Sequence, residues 1–306
     1  MKRMAGGIVI GVAASLALSA FPARAADDAC HLGRASRMEM SVGDGGVTVP
    51  MTIDGRRIEL LVDTGGVYSM LTEDVVASLD LKKYRLDTMD IVMWGGASAH
   101  NYVTARNVEL GGLQVPEMSF VVMPDGHVGA GIGGILAPEV LRAYDVDFDF
   151  AGGQLSLFSP FHCADKVVYW ANDWSEIDMS LDGVGHVLLP TTLDGRDVKL
   201  TMDTGSAETI LSLEFAEHLF GFDEHSPLLK RVETEDGHPV YRYPFAALSF
   251  GGVTVQHPDI LLIPDSASHQ SDYGRGLLGT DVLRQLHLYV SYREKKLYVT
   301  AAGAHL

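Results

Sequence analysis

Asp63 and Asp203 each open an Asp-Thr-Gly triplet, and each triplet closes a short apolar run: Leu60-Leu61-Val62-Asp63-Thr64-Gly65-Gly66 and Leu200-Thr201-Met202-Asp203-Thr204-Gly205-Ser206. A given triplet arises by chance at about 10⁻⁴ per position at average usage. One copy carries little weight; two at matched places in one chain carry much more. Paired carboxylates have a defined chemistry. Two that share one proton can take a proton from water and give one to the group that the water attacks, because adjacent like charges push their pKa values apart. Such a pair titrates as one unit. The glycine after each Asp-Thr lets the chain turn sharply and lets an opposing backbone come close. The threonine hydroxyl can hydrogen-bond across to the other turn. Asp63 and Asp203 are thus the candidate catalytic residues, supported by Thr64, Gly65, Thr204, Gly205 and Ser206.

The two triplets sit in an internal duplication. Residues 51–66 (MTIDGRRIELLVDTGG) align with 191–206 (TTLDGRDVKLTMDTGS) at an offset of 140 without a gap, each copy preceded by a proline, Pro50 or Pro190. The offset also pairs Gly111-Gly112 with Gly251-Gly252 and Pro124-Asp125 with Pro264-Asp265. It becomes 142 near the end of each copy, where IGGILAPEVL (132–141) matches RGLLGTDVL (275–283). Solenoids repeat at about 20–50 residues in several copies; two long copies imply two lobes related by a pseudo-twofold axis.

Local signals are mostly those of strands. Asp54-Gly55 and Asp194-Gly195 stand between alternating runs, a strong hairpin signal, and apolar residues recur at 58, 60, 62 and at 198, 200, 202 with period two. Thr72 and Ser212 are placed to cap short helices, and Pro138 suits a first helical turn. The expected architecture is all-β with a few short helices. Its expected divisions are 26–160 and 185–306 for the lobes, joined by a polar connection at 161–184.

LVDTGG, TMDTGS and the apolar-apolar-Gly segments near Ile135 and Leu277 resemble the aspartic peptidases, in particular bacterial retropepsin-like proteins with the two-lobe organisation of pepsin. The resemblance covers most of residues 45–303. It implies the bilobal aspartic-protease fold with pseudo-twofold symmetry, a catalytic dyad of Asp63 and Asp203, interlocking threonines at 64 and 204, a polypeptide substrate, and no cofactor or metal. The sequence departs from the family pattern at Gly66, where pepsins carry Ser or Thr, and at Ala137, where the first apolar-apolar-Gly element lacks its glycine. A flap is expected over the cleft. In the first lobe it falls on 90–103, with Gly95-Gly96 at the tip and Trp94 and Tyr102 flanking; in the second it falls on 233–243, centred on Gly237. An ordinary hairpin is the alternative for each.

Residues 1–25 combine Lys2 and Arg3, an uncharged stretch from Gly6 to Phe21, and Ala23-Arg24-Ala25, the pattern of a secretory signal peptide cleaved after Ala25. An uncleaved anchor is the alternative, although the apolar run is short of the ~20 residues that span a bilayer. Cleavage implies a periplasmic or secreted protein. It also removes three cations, taking the formal net charge from −17 to −20, which disfavours nucleic acid and anionic membranes as partners. Ala26 to about Arg37 is short for an inhibitory propeptide. Cys30 and Cys163 suit a disulfide in an oxidising compartment; two free thiols, or zinc with His31 and His162, are the alternatives. With both lobes in one chain a monomer is expected. Gly129, Gly131 and Gly134 match GxGxxG without a βαβ context, so close backbone packing is the simpler account. Two functions stay open: an endopeptidase acting on extended polypeptide, and a non-catalytic protein that binds peptide in the same cleft.

Overall fold

A computed structural model of the chain describes residues 32–43, 45–86, 91–93, 97–162, 166–232, 239–265 and 275–304. They lie in one compact unit, His31–Leu306. The Asp-Gly hairpins form as the sequence implies. Asp54 and Gly55 take φ of 48° and 77°, and Asp194 and Gly195 take 47° and 76°. Two successive left-handed residues make the turn whose twist matches that of the flanking strands. Gly46–Ile53 therefore pairs with Arg56–Val62, and Val187–Leu193 with Arg196–Met202. Ile58, Leu60 and Val62 face the core, as do Val198, Leu200 and Met202.

Each aspartate strand then leads into a turn, and the next strand, Met70–Thr72 or Thr209–Ser212, does not pair back onto it. A short strand from far along the chain threads between them. Gly134–Leu136 runs parallel to Arg56–Val62 and antiparallel to Met70–Thr72; Gly276–Leu278 does the same with Arg196–Met202 and Thr209–Ser212. The registers agree residue for residue under the sequence offsets. Ile135 faces Leu61 and Met70, while Leu277 faces Thr201 and Ile210. The threaded strand leaves no room for a side chain at its first residue: a Cβ on Gly134 would lie 2.3 Å from Met70 O, and one on Gly276 2.4 Å from Ile210 O. Of the glycines at 129, 131 and 134, close packing holds at Gly134; a Cβ on Gly131 would meet open space, and that residue instead has a φ of +83°.

Each lobe is a strongly bent sheet. In the first, pairing of Gly46–Ile53 with Asn101–Leu110 brings the sheet back on itself. Thr72 and Ser212 cap the helices Glu73–Ser78 and Leu213–Phe220, accepting from Val75 N at 3.3 Å and Phe215 N at 3.1 Å. Pro138 opens the helix Pro138–Leu141.

A third sheet of six strands joins the lobes. Its order is Arg34–Glu39, Gln154–Phe158, Asp145–Asp149, Leu286–Ser291, Lys296–Ala301, Ser175–Asp178. Three strands precede the centre and three follow it in mirrored roles. The central pair is Asp145–Asp149 with Leu286–Ser291, antiparallel, with Asp147 opposite Tyr289. Under the 142-residue offset Asp147 and Tyr289 are equivalent positions. The strand thus pairs with its own copy, as two identical subunits would across a twofold axis. The connection between lobes supplies the strand Ser175–Asp178. One continuous apolar core runs through both lobes and this sheet.

Candidate active site

The two turns meet between the lobes. Asp63 N–H donates to Leu136 O at 2.9 Å and Asp203 N–H to Leu278 O at 3.0 Å, so each aspartate is the last residue tied to its threaded strand. The threonines then interlock. Thr64 Oγ1 donates to Met202 O at 2.7 Å and Thr204 Oγ1 to Val62 O at 2.5 Å. Thr204 N–H donates to Thr64 Oγ1 at 3.0 Å, and Thr64 N–H to Thr204 Oγ1 at 3.3 Å. Both threonine side chains are buried. Each threonine is tied to the other lobe's strand, while each aspartate is tied to its own.

The glycines permit the close approach. A Cβ on Gly65 would sit 2.5 Å from the carboxyl carbon of Asp203, and one on Gly205 2.6 Å from that of Asp63. Gly65 N–H donates to Asp63 Oδ1 at 3.0 Å and Gly205 N–H to Asp203 Oδ1 at 2.8 Å. Each carboxyl group therefore lies against the opposite turn, and the two act on each other's protonation. Burial, then the charge of Asp203 and the bond with it, hold Asp63 well above the ordinary carboxyl value, against the N–H groups of Gly65 and Gly66. Burial also raises Asp203, against the N–H of Gly205, the bond from Asp63, the N–H of Ser206 and the charge of His186. The pair therefore retains a proton to higher pH than an isolated carboxyl.

Other predicted residues fall as follows. Ser206 lies beside Asp203, but its hydroxyl donates to Glu208 O at 2.7 Å, so its support of Asp203 comes from the backbone N–H alone. At Gly66 a Cβ would lie 2.7 Å from Asp63 Oδ2; the missing hydroxyl has no space in this turn. Ala137 is buried in extended backbone with φ −113°, so its Cβ is accommodated. Tyr102 lies on Asn101–Leu110 and stacks on Tyr84, ring centroids 5.5 Å apart. Ile91–Val92 pairs with Ser98–Ala99 and Lys230–Val232 with Val240–Arg242, so both expected hairpins have paired stems. Trp94, Gly95, Gly96 and Gly237 lie outside the described residues, as do Cys30 and Cys163 and hence the expected disulfide. Among the described residues no group of three His, Cys, Asp or Glu side chains is arranged for a metal.

Sequence reasoning missed the layer beneath the turns. Ser69 Oγ accepts from Ala137 N–H at 3.0 Å, and Glu139 accepts from Ser69 N–H. The second lobe repeats this: Thr209 Oγ1 accepts from Gly279 N–H at 3.1 Å and donates to Asp281 at 2.8 Å. The duplication carried that signal, because the offsets align hydroxyl with hydroxyl and acid with acid. His186 was also missed. It bonds Asp182 Oδ2 through Nδ1 at 2.7 Å and Gly66 O through Nε2 at 3.0 Å.

Two β lobes that each present an Asp-Thr-Gly turn to a common centre define a pepsin-like, two-lobed aspartic-protease fold. The chain belongs to the aspartyl protease family, whose sequence profile matches residues 49–137 and 189–282, the two halves in turn. Among solved structures it resembles the aspartic proteinase from Irpex lacteus, with TM-score 0.56 and 14% identity, covering 88% of this chain and 98% of that one. It also resembles the basic 7S globulin from soybean, with TM-score 0.53 and 8% identity over 89% of this chain and 96% of that one. At such identities the likeness is one of fold. No curated protein sequence matches the chain significantly.

Proposed function

We propose that the protein is an aspartic endopeptidase in which Asp63 and Asp203 hydrolyse peptide bonds of extended polypeptides. The observation that carries this reading is the pair of carboxyl groups, one from each lobe, brought together by interlocked turns and each clamped by a glycine N–H. Such a pair holds one proton and one negative charge. The ionised member takes a proton from water while the protonated member gives its own to the substrate carbonyl oxygen, and the water oxygen bonds to the carbonyl carbon. When the tetrahedral species collapses, the C–N bond breaks, the nitrogen leaves with a proton from one carboxyl, and a hydroxyl of that species returns its proton to the other, restoring the pair. The interlocked threonines hold both groups in place before substrate arrives, where preorganisation has its value. The signal-like residues 1–25 support action in the periplasm or outside the cell, by a single chain that carries both aspartates.

The test is digestion of a peptide library by wild type, Asp63→Asn and Asp203→Asn at pH 3–7. Wild type should show a bell-shaped pH profile. Each single variant should lose nearly all cleavage, and the double variant little more, since the pair acts as one unit. Wild-type cleavage by either single variant refutes the dyad. A wild type that binds peptides and cleaves none supports the non-catalytic reading; the fold itself occurs in a protein described as a globulin.

A further inference from the structure

The duplication places Gly46 and His186 at equivalent positions, yet they do different things. Gly46 has φ of +99°, and a Cβ there would lie 2.9 Å from Thr204 O, so the first lobe meets the second turn with bare backbone. Val47 N–H, one residue on, donates to that Thr204 carbonyl at 3.2 Å. His186 meets the first turn with a side chain instead. Its ring is only 2% exposed. Both of its nitrogens face atoms that only accept: Nδ1 faces the carboxylate of Asp182 and Nε2 the carbonyl of Gly66. A neutral imidazole has one N–H and satisfies one of these; only the imidazolium satisfies both.

The loop is built for that charge. Asp182 Oδ1 accepts from Val184 N–H at 3.0 Å, Gly185 N–H at 2.9 Å and His186 N–H at 2.9 Å, which leaves Oδ2 for the ring. Burial would raise the Asp182 carboxyl, but the His186 N–H, the His186 charge and the other two N–H groups outweigh it and hold the group below its ordinary value. The His186 charge also acts on Asp203. Arg142 also reaches the loop, donating to Val184 O at 3.4 Å.

We propose that His186, as an imidazolium paired with Asp182, is a positioning residue for the dyad. It ties the Asp63-Thr64-Gly65-Gly66 turn to the second lobe and places a buried positive charge beside the carboxyl pair. The role rests on the peptidase reading. It meets a specific need: the first turn ends in Gly66, which has no hydroxyl of its own, and the ring holds that residue's carbonyl from outside.

Two variants separate the tie from the charge. His186→Leu removes both, so kcat should fall about tenfold or more while KM stays within about twofold, the pattern for a lost transition-state interaction. Without the cation beside Asp203, the acid limb of the pH profile should also move to higher pH. His186→Gln keeps an N–H at the Nε2 position for Gly66 O, so it should recover most of kcat while its acid limb stays displaced. The idea is overturned if folded His186→Leu keeps the wild-type kcat and acid limb, or if His186→Gln loses as much kcat as His186→Leu. A readout without catalysis uses wild type labelled with ¹⁵N-histidine, with His186→Gln assigning the signal. Both ring nitrogens should be protonated at pH 5, and a neutral ring overturns the proposal. Should wild type cleave no peptide, the peptidase reading fails and the ring spectrum still decides the state of His186.

Discussion

At Gly66 the main chain passes so near its own aspartate that a Cβ would lie 2.7 Å from Asp63 Oδ2, with the carboxyl carbon at 3.0 Å. Gly66→Ala must therefore swing the Asp63 carboxyl away from Asp203 or move the turn. Peptide cleavage by this variant should drop about tenfold or more, equivalent to ~1.4 kcal/mol of barrier. Far-UV circular dichroism should be unchanged, because the residue lies outside the core; undiminished kcat/KM would refute this. Stability is expected to respond oppositely at Asp63. Its carboxyl is raised well above its ordinary value by burial and by Asp203. A raised folded-state pKa makes a contribution that is complete below the unfolded value of ~3.9 and is lost as pH rises through the folded value. Asp63→Asn removes that loss. Its Tm should exceed that of wild type at pH 7 by more than at pH 4, measured by scanning calorimetry; an equal difference at both would show that charge repulsion is not the cause. Both aspartates and both threonines were legible in the sequence because they recur in register. His186 and Asp182 were not, because the equivalent of the histidine is a glycine, and comparing the copies hides whatever breaks their likeness.

Among the elements, the threaded strands bear the site, and their ends are unequal. Gly279 abuts the other chain segment so closely that a Cβ would lie 2.3 Å from Glu208 O, whereas Ala137, its equivalent, is buried with its Cβ in place. Gly279→Ala should be strongly destabilising, by about 1–3 kcal/mol as overpacking usually is. Ala137→Gly should cost only about 0.5–1 kcal/mol through unfolded-state freedom. Urea midpoints measure both, and a reversed order would refute the account. The two residues share extended backbone, φ/ψ of −113°/173° at Ala137 and −89°/−179° at Gly279, so the departure at 137 is not a change of its own backbone conformation. Hairpins and helix caps were legible because their signals are local: Asp-Gly at a two-residue turn, a hydroxyl before a helix. The threading was not. Nothing local marks Gly134–Leu136 as a strand between Arg56–Val62 and Met70–Thr72, more than sixty residues earlier. The repeat of Gly-Ile-Leu in Gly-Leu-Leu marked the segment as shared by both copies, but not where it pairs.

For the molecule as a whole, the six-stranded sheet decides whether two lobes behave as one body. At its centre Asp147 and Tyr289 face each other across the pseudo-twofold. Asp147 accepts from Tyr169 OH at 2.6 Å and is paired with His287 Nε2 at 2.7 Å, both partners lying beyond the first lobe's strands. Trp170 covers the histidine ring in parallel, 3.9 Å between centroids. Asp145 repeats the pattern with His162 at 2.5 Å and Tyr289 OH at 3.2 Å. The apolar core continues through the sheet from one lobe to the other. Pairing of a strand with its own copy makes neither half of the sheet complete alone, so separate unfolding would expose apolar surface and unpaired buried charge together. The chain should therefore unfold in one transition, with tryptophan fluorescence and far-UV circular dichroism coinciding in urea. His287→Leu tests the link. It keeps an apolar residue under Trp170 but removes the His287 ring from the buried Asp147, and leaving a buried polar group short of a partner costs about 1–3 kcal/mol. Both probes should shift to lower urea by the same amount. If the variant instead separates them into two steps, or wild type shows two steps from the start, the lobes are independent and the sheet is only a seam. If neither probe moves, the Asp147–His287 pair contributes nothing to holding the halves together.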